Sequence, residues 1–223
     1  MDHRRQTVLV LGAVVCILVP GVYLTEETET CQTTFDDANY QEFSNKLKAL
    51  AKCPGNFTKH LEAEKQSELF GLLQTVADEL KSLRLKACKN VPPKNCSFPQ
   101  IPANGGLICL THNKNRYCKP MCNQGYDFAF LRKSRLYEEC GDDNGYTWSS
   151  QYIGGNRLAV CSKSSISVSG VASAYFPRTC QDAWYNYTEE KRLISDFKEE
   201  LRQQGVDKVN SKTKCLLCGD LLS

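Results

Sequence analysis

Cys215 and Cys218, separated by two leucines, have the spacing of a redox-active cysteine pair and of half a zinc site. A redox-active pair usually opens a helix that follows a strand, and a zinc site needs two further ligands at a similar spacing. The sequence around these two cysteines, near the C-terminus, offers neither feature. We therefore expect each of them to form a structural disulfide with a cysteine elsewhere in the chain.

Residues suited to catalysis are few. Three histidines occur, and His3, His60 and His112 fall in different regions of the sequence. The motifs Gly-x-Ser-x-Gly and His-Glu-x-x-His do not occur, nor does a phosphate-binding glycine loop. The acidic stretch 138–145 lacks the alternating ligands of a calcium loop and is typical of a solvated β-turn. The sequence thus predicts a non-catalytic protein with no cofactor and no metal site.

Cysteines dominate the composition, with thirteen in 223 residues, and this content indicates an oxidising compartment. Cys16 lies in an apolar N-terminal segment that contains no second cysteine. The other twelve form an even number, as a fully paired disulfide framework requires. They are Cys31, Cys53, Cys88, Cys96, Cys109, Cys118, Cys122, Cys140, Cys161, Cys180, Cys215 and Cys218.

The N-terminal segment predicts export from the cytoplasm. Arg4 and Arg5 precede the apolar run 7–19, which ends at Pro20 and Gly21, and this is the order of a secretory signal peptide over residues 1–21. The alternative is an uncleaved signal anchor that extends to about residue 24 and leaves the C-terminus outside the cell. Both alternatives predict an extracellular chain, either secreted or held by a single membrane anchor.

Three acceptor sequences for N-linked glycans, at Asn56, Asn95 and Asn186, agree with an extracellular location. The formal net charge of +3 is too small to favour nucleic acid or a strongly anionic partner. We therefore predict a glycoprotein that does not bind nucleic acid.

Two amphipathic helices are predicted before residue 90. The first spans Asp36 to Lys52, and the second runs from near Thr58 to about Cys88. Their apolar residues recur at steps of three and four: Tyr40, Phe43, Leu47 and Leu50 in the first helix, and Leu69, Leu72, Leu73, Val76, Leu80, Leu83 and Ala87 in the second. Because the connection between the helices is short, we expect an antiparallel hairpin over residues 31–90.

A coiled-coil stalk is the alternative for the second helix. A heptad that starts at Leu69 takes Leu72 and Val76, and it then requires Glu79 at an apolar position. The apolar spacing instead continues to Leu80, which favours packing of the helix against a globular partner.

A third helix is predicted to begin at Thr188 and to end at Gly205. Its buried face consists of Leu193, Ile194, Phe197 and Leu201. Within residues 180–218, this helix and the cysteine-rich tail are predicted to pack on the N-terminal hairpin, which gives a helical subdomain closed by disulfides. Cys31 and Cys88 lie at the same end of the hairpin, so we expect them to pair, although the six cysteines outside 96–161 allow many other connectivities.

The segment 96–161 consists of short β-type runs separated by glycine, asparagine and aspartate. It contains Cys96 followed by Pro99 and Asn104-Gly105, then Cys122-Asn-Gln-Gly125-Tyr126, Cys140, Trp148 and Cys161. In these residues the segment resembles the sushi module, also called the complement control protein domain. The resemblance covers 66 of the 223 residues and nothing outside them.

The resemblance implies a small antiparallel β-sandwich in which the tryptophan lies beside a disulfide. The family joins its first cysteine to its third and its second to its fourth. Carried over, this implies the bonds Cys96–Cys140 and Cys122–Cys161, and the extra cysteines Cys109 and Cys118 would bond to each other. The extra pair and the long segment between Trp148 and Cys161 depart from the family pattern. The predicted fold class is α+β and disulfide-rich, with a sushi-like β module flanked by amphipathic helices.

Two groups of side chains in the segment 96–161 are candidates for binding. The first is a basic group, which would make a weak contact to sulfated glycans and consists of Lys114, Arg116, Lys119, Arg132, Lys133 and Arg135. Five carboxylates in the same segment offset much of its charge. An aromatic group supplies either core residues or interface anchors; it consists of Tyr126, Phe128, Phe130, Tyr137 and Tyr146.

The function that the resemblance implies is protein–protein recognition, as in adhesion, matrix or complement-type proteins. One alternative is a membrane-anchored receptor or adhesion protein, and the other is a secreted signalling or defence factor.

Overall fold

A computed structural model of the chain describes residues 36–55, 59–150, 154–206 and 210–221. The fold is α+β and disulfide-rich with small antiparallel sheets, as predicted, and the described residues form five disulfides. The chain divides into two compact units, residues 1–62 and 63–223. The predicted signal peptide or anchor, together with Cys31 and Asn56, lies outside the described residues. Within the four described ranges, no helix is long and apolar enough to cross a membrane.

The first unit contains helix α1, Asp37–Lys52, which agrees closely with the predicted span. Asp36 caps it, because the Asp36 carboxylate accepts a hydrogen bond of 2.8 Å from the backbone N–H of Asn39. No residue of α1 is buried, and its predicted apolar face is largely in contact with solvent, with Tyr40 53% and Phe43 42% exposed. Cys53, just after the helix, is exposed and forms no disulfide, contrary to its predicted place in the paired framework.

The second unit begins with helix α2, Ala63–Lys89. Of its 27 residues, Cys88 alone is buried. The α1 and α2 helices belong to different units, so their pairing in a hairpin over residues 31–90 stays a prediction.

A four-stranded sheet follows, with strand order β4-β2-β1-β6 and antiparallel pairing throughout. Its strands are β1 (Gly105–His112), β2 (Asn115–Cys122), β4 (Glu138–Cys140) and β6 (Asn210–Cys218). A separate pair joins β3 (Tyr126–Phe128) to β5 (Cys161–Lys163). Strand β6 was not predicted, and because it pairs with β1, the C-terminal tail is part of the same sheet as the 96–161 segment.

Two helices precede β6: α3 (Cys180–Tyr185) and α4 (Tyr187–Gln203). The N-cap of α4 is Asn186, two residues before the predicted N-cap Thr188. The Asn186 side chain accepts hydrogen bonds from the backbone N–H groups of Thr188 and Glu189, at 3.1 and 3.2 Å.

The predicted apolar face of α4 is buried, and it packs on the sheet. It shares one core with residues of β1 and β2. The members of that core from α4 are Leu193, Ile194, Phe197 and Leu201, and those from the two strands are Ile108, Leu110, Tyr117 and Met121. Because α1 belongs to the other unit, the packing of residues 180–218 on a hairpin of α1 and α2 stays a prediction. The last turns of α2 still contact this region, where Arg84 lies 2.6 Å from Glu190.

The five disulfides are Cys88–Cys215, Cys96–Cys140, Cys109–Cys118, Cys122–Cys161 and Cys180–Cys218. Three of them are the bonds that the sushi resemblance implies. The predicted Cys31–Cys88 bond is wrong, because Cys88 is bonded to Cys215.

Cys215 and Cys218 lie three residues apart in β6, and side chains at odd spacing point to opposite faces of a strand. Cys215 accordingly belongs to the core that contains Trp148, whereas Cys218 belongs to the core under α4. Each cysteine bonds to a partner elsewhere in the chain, as the sequence analysis expected.

Candidate binding surface

The predicted basic group does not form a patch. Arg116, Lys119 and Arg132 are buried, at 4%, 2% and 2% exposure. Of the exposed members, Lys114 forms an ion pair of 3.3 Å with Asp142. With half of the group removed from solvent, the structure gives no support to the predicted sulfated-glycan contact.

Two buried ion pairs account for Lys119 and Arg132. Lys119 lies 2.6 Å from Glu200 of α4. Burial lowers the pKa of the Lys119 ammonium, and the hydrogen bond and charge of Glu200 oppose that shift. Arg132 lies 2.9 Å from Glu138, whose carboxylate also lies 2.6 Å from Arg135. The first pair joins α4 to the sheet, and the second joins β4 to the segment before it.

The acidic stretch 138–145 is a short structural element. Glu138–Cys140 is strand β4, and Asp142–Asn144 is a single 3-10 turn in which the Asn144 side chain accepts from the Gly141 N–H at 2.9 Å. Across the described ranges, no cluster of three or more histidine, cysteine, aspartate or glutamate side chains is arranged to hold a metal ion.

Four of the five residues of the aromatic group, all except Phe130, contribute to hydrophobic cores rather than to an exposed surface. Phe128 is buried, and Tyr126, Phe130, Tyr137 and Tyr146 are partly buried. The Tyr137 ring, for example, contacts the Tyr117 ring at a centroid distance of 5.6 Å. Trp148 is buried as the resemblance implies, and its indole N–H donates to the Ser97 carbonyl at 2.8 Å.

Three exposed aliphatic side chains instead form the strongest candidate for binding. Leu131, Ile166 and Val168 are 64%, 63% and 53% exposed. Ile166 and Val168 belong to residues 164–170, which we call the anchored loop. Leu131 adjoins the anchored loop, because the backbone N–H of the next residue, Arg132, donates to the Ser169 carbonyl at 2.5 Å.

One buried carboxylate fixes the anchored loop. The Oδ2 atom of Asp127, in β3, accepts from the backbone N–H groups of Val168 and Ser169 at 3.0 and 3.1 Å. Its Oδ1 atom accepts from the Tyr175 hydroxyl at 2.5 Å and from the Phe128 N–H at 2.8 Å. Asp127 is 6% exposed, so these four bonds satisfy both oxygens away from water.

The hydrogen bonds keep Asp127 ionised. Burial raises the pKa of the carboxyl, but the bonds from Tyr175 and from the anchored loop outweigh burial and lower the pKa to about 2. For Tyr175, burial and the bond to Asp127 both raise the pKa of the phenol, to about 12. The anchored loop is therefore held by a carboxylate and a neutral phenol over the whole physiological range.

Close packing also restricts the end of the anchored loop. The Gly170 N–H donates to the Tyr175 hydroxyl at 2.7 Å. A Cβ atom at Gly170 would lie 2.8 Å from the Phe128 ring and 3.0 Å from the Tyr175 hydroxyl. A side chain at residue 170 would thus push the loop away from its anchor.

A shallow groove between residues 172–177 and α4 is a second candidate binding site. Its volume is about 320 Å³, near the lower end for small-molecule sites, and its lining includes Lys119, Arg192 and Asp196. Its charged side chains are already paired: Lys119 with Glu200, and Arg192 with Asp196 at 2.8 Å. The groove therefore offers a ligand few free charges, and we regard it as the weaker candidate.

Two of the three predicted glycan acceptors lie in the described residues. Asn95 and Asn186 are both exposed. Because the Asn186 side chain caps α4 through its Oδ1 atom, the two capping bonds leave the glycan-accepting Nδ2 atom unengaged.

The resemblance of residues 96–161 to the sushi module rests on the sequence signature. The chain matches no protein-family model, no curated protein and no solved structure.

Proposed function

We propose that this chain is an extracellular, non-catalytic recognition protein that binds another protein through Leu131 and the anchored loop. One observation carries the proposal: three exposed aliphatic side chains lie on or beside a loop held by a single buried carboxylate. Surface loops on a rigid scaffold commonly carry binding function.

The energetics of association support an aliphatic, fixed surface. Full burial of an aliphatic side chain contributes about 1.5–3 kcal/mol, and a few such residues commonly dominate an interface. A loop that is already ordered avoids much of the entropy cost of binding. Since the anchored loop is fixed by Asp127 in the free protein, most of the burial energy at Ile166 and Val168 is available for affinity.

The setting supports an extracellular role. Five disulfides are typical of proteins from oxidising compartments, and the exposed acceptors Asn95 and Asn186 fit a glycoprotein. The sushi resemblance adds protein recognition of the adhesion, matrix or complement type. The membrane-anchored receptor and the secreted factor remain the two alternatives, and N-terminal sequencing of the mature protein distinguishes them by the presence or absence of residues 1–21.

A binding screen against a panel of extracellular proteins tests the proposal. The probe is the full protein as cells produce it, compared with the double variant Ile166→Glu/Val168→Glu. The matched control is Tyr185→Glu/Tyr187→Glu, which places the same charges on two other exposed apolar residues, 64% and 69% exposed.

We expect a partner that binds the wild type and the control but not the anchored-loop variant. A partner that binds the anchored-loop variant as tightly as the wild type would contradict the proposed surface.

A further inference from the structure

Helix α2 carries an apolar stripe that the rest of its unit does not cover. Leu73, Val76, Leu80 and Leu83 are 41%, 50%, 57% and 57% exposed. Surface apolar residues are common singly, but a continuous row along one helix face indicates an interface.

A different face of α2 contacts the body of the unit. Arg84 bonds to Glu190 at 2.6 Å and stacks on the Trp184 ring at 3.8 Å, and Cys88 is bonded to Cys215. At 100° per residue, Cys88 lies about 100° around the helix from the centre of the stripe. The body of the unit therefore leaves the stripe open along its length.

The spacing of the stripe is that of a coiled-coil seam. Leu69, Leu73, Val76, Leu80, Leu83 and Ala87 follow one another at alternating steps of four and three, with no polar residue among them. In the heptad register that includes Leu72, Glu79 occupies an apolar position of the seam. In the register that includes Leu73, Leu80 occupies that position and Glu79 lies beside the seam. The Leu73 register is therefore compatible with a coiled coil, whereas the Leu72 register is not.

The flanking charges suit a parallel arrangement of two copies. In a parallel coil, a g residue faces the e residue five positions later on the other helix. With Leu73 and Leu80 at a positions, Glu79 is at g and Arg84 is at e, so opposite charges meet across the seam. The Arg84 guanidinium has five N–H donors and can bond to Glu79 of another copy while it keeps Glu190.

We propose that another copy of this chain covers the α2 stripe in a parallel coiled coil. The inference goes beyond the recognition function and does not depend on it. Its consequence for binding is multivalency: joined copies present two or more anchored loops, and the avidity of the assembly exceeds the affinity of one loop.

The test is the mass of the full mature protein in solution, measured by light scattering and sedimentation over a hundredfold range of concentration. The seam variant is Val76→Lys/Leu80→Lys. The control is Gln74→Lys/Thr75→Lys, which adds the same charge at exposed positions away from the seam. Both pairs of substitutions lie at exposed positions, so near-ultraviolet circular dichroism should show the same fold in every variant.

We expect two or more chains per particle for the wild type and the control, and one chain for the seam variant. A wild type that stays at the mass of one chain would overturn the proposal, because the stripe would then be covered within the chain, for example by α1, or by another protein. Retention of the wild-type mass by the seam variant would overturn it equally.

Discussion

Replacement of Asp127 by asparagine should destabilise the protein in a pH-dependent manner. The folded-state pKa of the carboxyl is about 2, below the ordinary value of 3.8. A difference of nearly two units corresponds to about 2 kcal/mol of stability from the ionised form. Because the folded pKa is the lower one, this contribution is fully present above pH ~5 and is lost as the pH falls through about 2.

Denaturant unfolding of the wild type and Asp127→Asn at several pH values measures this contribution. The wild type should be more stable by about 2 kcal/mol at pH 7, and the difference should shrink towards zero as the pH approaches 2. Other carboxyls with lowered pKa values, such as that of Glu189, are common to both proteins and cancel in the difference. Hydrogen exchange should also become faster at the amides of Val168 and Ser169, which lose their ionised acceptor. A stability difference that does not change with pH, or unchanged exchange at these two amides, would show that the ionised Asp127 carboxylate does not hold the anchored loop.

Three further predictions concern the hydroxyl, the ion pair and the sheet. Tyr175→Phe should reduce the loss of stability that the wild type shows between pH ~10 and ~12, because the raised pKa of the Tyr175 phenol stabilises the fold in full only below that range, whereas the raised pKa values of Tyr117 and Tyr137 are common to both proteins; an identical alkaline profile in stability measurements would contradict this. Glu200→Ala should cost about 3–5 kcal/mol in denaturant unfolding by leaving Lys119 buried without its partner, whereas Lys119→Met/Glu200→Leu should be nearly neutral; equal costs would argue against the pair. Gly106→Ala should prevent folding, since its Cβ would overlap the Cys180 sulfur, whereas Gly71→Ala, with no atom within 4 Å, should add up to about 1 kcal/mol of stability; a normal yield of folded Gly106→Ala protein would contradict the packing described.

The sequence predicted elements whose signal is local. Helix α4 was predicted with its buried face because four apolar residues recur at helical spacing. Strand β6 was missed because Cys215, Leu216, Leu217 and Cys218 are all buried, so the strand lacks the alternation that marks one exposed face. Its two cysteines predicted structural disulfides correctly but gave no indication of a strand.

The candidate site was missed because its determinants are distant in sequence. Asp127 and Val168 are 41 residues apart, and no local pattern links them. The basic group was misjudged for the same reason: Lys119 finds its carboxylate in Glu200, 81 residues away. Whether a charged side chain is buried depends on such a partner, which sequence alone does not place.

Hydrogen exchange of the protein with and without the partner recovered in the screen tests whether Leu131 and the anchored loop form the binding surface. We expect slower exchange on binding in the anchored loop, residues 164–170, and around Leu131, with little change in the groove beside α4. Protection confined to that groove, or to any surface that excludes Leu131, Ile166 and Val168, would show that the partner binds elsewhere.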